Sequence, residues 1–234
     1  MVLTATAGVL RQMHVFRGLC DDDLKSLADL CRWREYYTGD QIILHDDRST
    51  DIYFVARGTV RATIYSSNGK EIVLRDFTSG EMFGELAAID GEPRSAHVIA
   101  IENCLIASMT AEVFQKARRK FPEMTEATMK QLTQQVRRLC TRVFEFSAYS
   151  VNKRIRAELL RLATGHKENG SVMVISPVPK HADIASKVST HREAVTRELK
   201  ELEQIGVIER SKDQLIIRDP DRLAKMAQED LIGL

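Results

Sequence analysis

The stretch FGELAAIDGEPRSA, residues 83–96, lies between two runs of strand-forming residues and decides how the first half of the chain is interpreted. Gly84 permits close approach of the backbone to a ligand, and the residues after it can begin a helical turn whose free N–H groups face an anion. Arg94 offers a planar fork for two phosphate oxygens, and Ser95 adds a hydroxyl donor. Glu85 accepts hydrogen bonds without donating any, so it suits a ribose hydroxyl. The stretch therefore predicts a site for a nucleotide with a single compact phosphate.

The region around this stretch, residues 36–109, consists of short β-branched and aromatic runs that are separated by glycines. Residues 60–64, VRATI, place apolar side chains at every second position, which is the period of a half-buried strand. Asn68 and Gly69 lie between two such runs and predict a hairpin turn, because both residue types tolerate positive φ. Turn signals recur about every ten residues, which predicts a β-sandwich or barrel.

The middle of the chain has the pattern of one long helix. Pro122 suits the first helical position, and apolar residues then recur at alternating spacings of three and four. A helix that exposes such a heptad seam needs a partner, and the simplest partner is a second copy of the chain. The sequence therefore predicts a homodimer through residues 122–147, although a core helix packed on its own domain fits the same pattern. The seam consists of Met129, Leu132, Val136, Leu139, Val143 and Phe146.

The last part of the chain, from Ser150, predicts a helix, a short strand, two helices joined by a turn, and a hairpin. This order is that of a winged helix-turn-helix. Thr190 and Glu193 have the spacing of a capping box, which places the start of the second helix of the pair near residue 191. Glu198 stands in that helix where an apolar residue is often found.

The composition limits the class of protein. With 234 residues, 44% of them apolar, and a net charge of +1, the chain can bury a sizeable core and is not disordered. No apolar run approaches the roughly 18 residues that span a bilayer. The four cysteines lack a Cys-x-x-Cys pair, which fits reduced thiols in a cell interior. We expect a soluble, cytoplasmic protein of two domains, without a membrane partner.

The motifs Gly84-Glu85-Leu86 and Arg94-Ser95-Ala96, followed by the long helix and the winged domain, resemble the cyclic AMP receptor (Crp-Fnr) family of bacterial transcription regulators. The resemblance covers nearly the whole chain. It implies an α+β fold with an N-terminal β jelly-roll that binds a cyclic nucleotide, a long dimerisation helix and a C-terminal winged helix-turn-helix. The corresponding domain bounds are residues 1–121, 122–149 and 150–234.

The resemblance also assigns roles at the ligand. Glu85 would hold the ribose 2′-hydroxyl, and Arg94 with Ser95 would hold the cyclic phosphate. The ligand implied is cAMP, acting as an allosteric effector without a metal. Further residues implied to line the pocket are Gly84, Leu86 and Leu74.

The base of the nucleotide is less defined, because this sequence departs from the family pattern there. The Thr-Ser pair that contacts the base in the catabolite activator, one residue from each subunit, falls on Leu139 and Cys140, with Thr141 one step beyond. Leucine cannot hydrogen-bond adenine. A pocket serine is replaced by Arg75. Cys140 and Thr141 are the expected base contacts, and cGMP stays open beside cAMP.

At the other end, the second helix of the winged domain would enter the major groove of double-stranded DNA. Arginine can bond guanine O6 and N7, and glutamate can accept from cytosine N4. The family's recognition pattern falls on Arg192, Glu193 and Arg197, which implies a palindromic TGTGA-like site. Lys180 and His181 precede the first helix of the pair and could reach phosphates. His191 belongs to the expected DNA-binding set, and RNA polymerase is an expected partner.

A redox-sensing regulator and an enzyme are two alternatives to a cyclic nucleotide-dependent regulator. A regulator of the Fnr type would sense redox state or another ligand, but Cys20 and Cys31 are separated by ten residues and lack the spacing of an iron–sulfur cluster. An enzyme would use Glu85 with His45 or His97 as acid and base. The sequence has no nucleophile motif, metal-ligand spacing or Walker-type loop, so we expect no catalysis.

Overall fold

The computed structural model describes residues 7–67, 69, 71–163, 172–211 and 213–228. The chain forms two compact units, residues 1–136 and 137–234. Asn68 of the predicted hairpin lies outside the described residues, as does part of the C-terminal segment. No helix in the described ranges is long and apolar enough to cross a membrane.

The first unit contains two four-stranded antiparallel sheets, with strand orders β1-β8-β3-β6 and β2-β7-β4-β5. Side chains from both sheets share one buried core, which includes Val55, Phe83 and Ile106 from the first sheet and Val60 and Phe77 from the second. The two sheets confirm the β-sandwich that the turn spacing predicts, and they form the jelly-roll that the family resemblance implies. The strands are β1 (Arg32–Tyr36), β2 (Gln41–Ile43), β3 (Ile52–Arg57), β4 (Thr59–Tyr65), β5 (Glu71–Thr78), β6 (Met82–Phe83), β7 (His97–Ala100) and β8 (Cys104–Met109).

A second core forms where helices cover the outer face of the first sheet. Phe16 packs against Phe54 with ring centroids 4.9 Å apart, and Phe114 and Met124 complete the cluster. Because side chains alternate along a strand, β3 supplies Phe54 to this core and its neighbour to the core between the sheets. The helical elements are α1 (Ala7–Arg11), a 3-10 turn (His14–Phe16), α2 (Asp21–Ala28), α3 (Glu85–Asp90) and α4 (Ala111–Lys120).

The long helix, α5 (Pro122–Ala148), begins at the predicted proline and runs across the boundary between the two units. Its predicted seam is largely exposed on the single chain: Met129 is 61% exposed and Val143 is 65% exposed. The seam therefore does not serve as the core of this chain, which contradicts the alternative of a core helix.

The second unit has the winged helix-turn-helix order. A three-stranded antiparallel sheet, β10-β11-β9, packs with the helices around Leu159, Val195 and Leu199. The elements are α6 (Val151–Leu162), β9 (Met173–Ile175), α7 (His181–Lys187), α8 (Arg192–Gln204), β10 (Ile208–Arg210), β11 (Leu215–Ile217) and α9 (Pro220–Gln228).

The predicted capping box is wrong. Helix α8 begins at Arg192 after His191, and no side chain caps its first turn. Thr190 instead donates its backbone N–H to the carbonyl of Ala185 at 2.9 Å, because Ser189 turns the chain with φ of +53°. The first helical residue consequently lies one position later than a Thr190 cap requires.

A buried polar cluster joins the last turns of α5 to α6 and α7. Arg161 Nη1 lies 2.6 Å from Glu145 Oε1, and its Nε lies 2.9 Å from Glu158 Oε2. Arg142 Nη1 lies 3.3 Å from the same Glu158 oxygen, and its Nη2 donates to the carbonyl of Lys187. Both carboxylates are buried, so their charges are balanced by these guanidinium groups rather than by water.

Glu198, at the position where an apolar residue was expected, is buried on the core side of α8. Its Oε1 lies 2.6 Å from Arg156 Nε of α6, and Arg156 Nη1 donates to the carbonyl of Met226 in α9. Burial raises the pKa of Glu198, and Arg156 opposes that shift. One ion pair therefore connects three helices of the second unit.

Replacing Arg156 by methionine should lower the free energy of unfolding by about 3–5 kcal/mol at pH 8, because it leaves the Glu198 carboxylate buried and unpaired. The double variant Arg156→Met/Glu198→Leu should recover most of this loss. Because the pKa of Glu198 is raised, the penalty shrinks as pH falls and the carboxyl protonates, so the stability of the single variant should approach that of the wild type in acid. Urea unfolding followed by circular dichroism measures both effects. A double variant as unstable as the single one contradicts this account.

Candidate functional site

A pocket opens in the first unit, beside the second sheet and α3. Its lining includes Gln135 of α5. The structure brings together here six residues that the sequence analysis proposed for one ligand: Leu74, Gly84, Glu85, Leu86, Arg94 and Ser95.

Arg94 is 2% exposed and is held by three acceptors of the protein. Its Nη1 donates to the carbonyl of Gly84 at 3.0 Å, its Nη2 to the carbonyl of Asp51 at 2.7 Å, and its Nε to the hydroxyl of Ser49 at 3.1 Å. Burial lowers the pKa of Arg94, while nearby negative charges, including that of Asp47, oppose the shift. A guanidinium has five N–H groups, so three such bonds leave two for a bound anion.

Glu85 begins α3 and is 3% exposed. Burial raises the pKa of Glu85, whereas its own backbone N–H and the charges of Arg75 and Arg94 oppose the shift. A carboxylate in this setting gains from any donor that enters the pocket, because a buried charged group is costly until it is hydrogen-bonded.

Gly84 precedes α3 with φ of +77°, a left-handed conformation that other residues rarely adopt. A Cβ atom at this position would lie 2.7 Å from Arg94 Nη1 and 3.2 Å from the carbonyl oxygen of Asp51. The glycine is therefore required both by the backbone conformation and by the close approach of Arg94.

Arg75 lines the pocket from β5, where the register against β4 shifts: Ala62 pairs with Arg75, and Thr63 pairs with Val73. Leu74 is thus the extra residue of a β-bulge, a feature that redirects side chains. This explains how two consecutive residues of one strand, Leu74 and Arg75, can both line the pocket.

Gln135 was missed by the sequence analysis. Its Oε1 is buried and has no hydrogen-bond partner among the described residues. The signal for it was available, because it lies four positions before Leu139 and so on the same face of α5 as the expected base contact. Cys140 and Thr141 are exposed on the part of α5 that belongs to the second unit. Their role at the ligand stays a prediction.

In the second unit, the exposed start of α8 forms a concave surface. Arg192, Glu193 and Arg197 meet here, as predicted for a recognition helix, and Thr196 and Lys200 complete the surface. Arg192 Nε lies 3.6 Å from Glu193 Oε1, and both side chains are exposed, so this ion pair contributes little to stability. The side chains remain available to an external partner.

The remaining DNA-binding candidates differ from one another. Lys180 and His191 are exposed at the ends of the two helices, α7 and α8. His181 Nδ1 lies 2.7 Å from the hydroxyl of Thr196, which itself donates to the Arg192 carbonyl. Burial lowers the pKa of His181, as do the charges of nearby arginines. His181 therefore connects α7 to α8 as a neutral ring, and its predicted contact with phosphate remains a prediction.

The cysteines are dispersed. Cys20 is exposed, Cys104 is buried, and burial raises the pKa of Cys31 to about 12. Within the described ranges, no group of three histidine, cysteine or acidic side chains is placed to hold a metal ion. His45 and His97 lie with ring centroids 5.7 Å apart, and neither lines the pocket that contains Glu85.

Two family models match the chain: a cyclic nucleotide-binding domain at residues 33–121 and a Crp-like helix-turn-helix domain at residues 153–226. The CRP-like cAMP-activated global transcriptional regulator of Mycobacterium tuberculosis is 24% identical over 222 residues, covering 94% of this chain and 99% of that protein. The cyclic AMP receptor protein of Thermus thermophilus is 25% identical and covers 91% of this chain and 96% of its own length. A CooA mutant from Carboxydothermus hydrogenoformans is similar in structure, with a TM-score of 0.76 at 18% identity, covering 87% of this chain and 90% of that one.

Gly84→Ala should lower the free energy of unfolding by at least about 3 kcal/mol, because the new Cβ displaces Arg94 and adds left-handed strain. Gly91, at the other end of α3, provides a matched control: its φ is +76°, and a Cβ there meets nothing within 4 Å. Gly91→Ala should therefore cost only the strain, about 1–2 kcal/mol. Urea unfolding of both variants makes the comparison, and equal losses would show that the Arg94 contact is unimportant.

Proposed function

Because the chain belongs to the Crp-Fnr family of transcription regulators, we propose that it is a cytoplasmic homodimer that binds palindromic DNA when a purine 3′,5′-cyclic nucleotide fills the pocket of its first unit. It is a regulator rather than an enzyme. The observation that carries the proposal is that Glu85 and Arg94 are both buried in one pocket, with a carboxylate for the sugar and a cation for the phosphate. RNA polymerase is the proposed protein partner.

The phosphate is proposed to bind Arg94. Two of its N–H groups are left after the bonds to Gly84, Asp51 and Ser49, which suits the two free oxygens of a cyclic phosphodiester. The Ser95 hydroxyl lines the same pocket and can donate a further bond. A monoanion matches this arrangement better than a triphosphate, because Arg94 has only two N–H groups left and the pocket lining includes no glycine-rich phosphate loop.

The ribose is proposed to bind Glu85, whose buried carboxylate can accept the 2′-hydroxyl proton. These phosphate and ribose contacts are common to cAMP and cGMP. The names of the Mycobacterium tuberculosis and Thermus thermophilus relatives favour cAMP.

The homodimer is proposed to form through the exposed seam of α5. With Val136 at position a and Leu139 at position d, Gln135 takes position g and Cys140 takes position e. In a parallel pair, position g of one helix lies beside the next position e of the other. Cys140 of the partner subunit would then lie beside Gln135 and hence at the pocket, which supports its predicted contact with the base.

DNA is proposed to bind the concave surface of α8. In a two-fold dimer the two recognition helices would enter successive major grooves, with half-sites about one helical turn apart. Helix α5 supplies Gln135 to the pocket and continues into the second unit, so the ligand contacts the element that leads to the DNA-binding domain. The ligand can switch the protein only by binding the DNA-competent state more tightly than the other state.

Glu85→Gln should weaken the binding of cAMP and cGMP by about 10- to 100-fold, the range expected for a hydrogen bond to a charged group. The wild type should bind the 2′-deoxy form of each nucleotide more weakly by a similar factor, because these ligands lack the hydroxyl that Glu85 contacts. On Glu85→Gln the 2′-deoxy forms should bind little more weakly than the parent nucleotides, because that contact is already absent. Isothermal titration calorimetry measures the affinities of these four nucleotides for the wild type and for the variant. Glu92→Gln, an exposed residue after α3, is the control and should change none of them. A full additional loss for the 2′-deoxy ligands on Glu85→Gln would contradict the ribose contact.

Arg197→Ala should weaken binding to a duplex with an inverted TGTGA repeat by about 5- to 150-fold and should have little effect on a scrambled duplex. Lys200→Ala should weaken both duplexes alike and reduce the salt slope, as expected for a phosphate contact. Lys225→Ala, on α9, is the matched control. Fluorescence anisotropy with and without each nucleotide measures these effects. Equal loss on both duplexes for Arg197→Ala would contradict its role in reading bases.

A further inference from the structure

The pocket contains a second arginine that the phosphate and ribose contacts do not use. Arg75 lines it from the bulge of β5, and its side chain is 15% exposed. Its Nη1 is buried and has no hydrogen-bond partner among the described residues. A buried guanidinium nitrogen without an acceptor is costly, so the pocket is incomplete until a ligand supplies one.

The guanidinium is held in one orientation before any ligand binds. Its Nη2 donates to Glu81, and its carbon lies 4.1 Å from the centroid of the Phe77 ring. The second carboxylate oxygen of Glu81 accepts from the backbone N–H of Thr78 at 2.8 Å and from its hydroxyl at 3.2 Å. Because both its ion pair and its stacking partner are fixed, the guanidinium of Arg75 is oriented in advance, and a ligand that reaches Nη1 from the pocket would supply the missing acceptor.

The chemistry of this donor discriminates between the two purines. Guanine presents two acceptors along one edge, O6 and N7, whereas adenine presents the N6 amino donor in place of O6. Arginine has hydrogen-bond donors and no acceptor, so it can donate to O6 and N7 of guanine. Against adenine, its N–H group would face the N6 amino group, which is also a donor, and no hydrogen bond would form there. Gln135 does not discriminate, because its amide carries both a donor and an acceptor and can turn to suit either base.

Resting on the proposed function, we propose that Arg75 reads the O6/N7 edge of guanine and that this regulator binds cGMP more tightly than cAMP. Arg75 stands at the position where the family pattern has a pocket serine. The preference comes from the pocket itself, and it separates this chain from the relatives that are named for cAMP.

The first test varies the ligand and leaves the protein unchanged. Calorimetric titration of the wild-type chain should show cGMP binding about 5- to 150-fold more tightly than cAMP, the range for one bidentate arginine–guanine contact. Cyclic IMP retains O6 and N7 and should bind like cGMP, whereas 7-deaza-cGMP lacks N7 and should lose much of the advantage. Equal or tighter binding of cAMP overturns the assignment of Arg75 and leaves the proposed function standing. If none of the four nucleotides binds, the proposed function fails as well.

The second test varies the protein. Arg75→Lys and Arg75→Ser should both bring the cGMP/cAMP affinity ratio close to one, because neither side chain can present the fork. Arg61→Lys removes a buried guanidinium from the neighbouring strand, outside the pocket lining, and should leave the ratio unchanged. Thermal unfolding followed by circular dichroism checks that each variant is folded. If the Arg75 variants weaken both nucleotides by the same factor, the guanidinium contacts sugar or phosphate, and the proposed base contact is overturned.

Discussion

The structure of the ligand pocket depends on one buried cation, Arg94. Taking a guanidinium out of water is unfavourable unless its N–H groups find acceptors, and here three acceptors come from two separate segments. Ser49 and Asp51 both lie in the loop between β2 and β3, and Gly84 lies between β6 and α3. The pairing of the strands brings these segments together, so the fold builds the anion site before the anion arrives.

Such preorganisation determines what the ligand can change. The anion site needs no rearrangement of the jelly-roll, so the free energy of ligand binding is not spent on building it. Helix α5 is the element that runs from the first unit into the second. Gln135 contacts the pocket, and Arg142 lies two turns later, about 10 Å along the helix. Arg142 bonds the end of α7, just before the turn that leads to α8. Under the proposed function, a change in α5 at the pocket would pass along this one continuous helix to the polar cluster that bonds the end of α7.

The sequence predicted the parts of the fold that rest on local pattern. The alternation in residues 60–64, the glycine punctuation and the heptad seam each reflect a period that a strand or helix imposes. Glu85 and Arg94 could also be placed in one site, because their residue types complement a single ligand. The capping box at Thr190 failed because Ser189 adopts a left-handed turn, which no local pattern signals. Partners such as the Asp51 carbonyl could not be predicted, because every residue has the same backbone acceptor and only tertiary pairing selects one.

The base-reading part of the pocket is where family resemblance is least informative, for a physical reason. Phosphate and ribose are common to all cyclic nucleotides, so the residues proposed to bind them, Glu85 and Arg94, carry no information about the base. In the proposed complex the base would face the bulge in β5 and Gln135 of α5. A substitution at these positions can exchange a hydrogen-bond donor for an acceptor at little cost in stability. A buried donor that has no acceptor carries an energetic penalty until the matching base supplies an acceptor. Arg75 is such a donor, so in this pocket the departure from the family pattern is itself the information about the ligand.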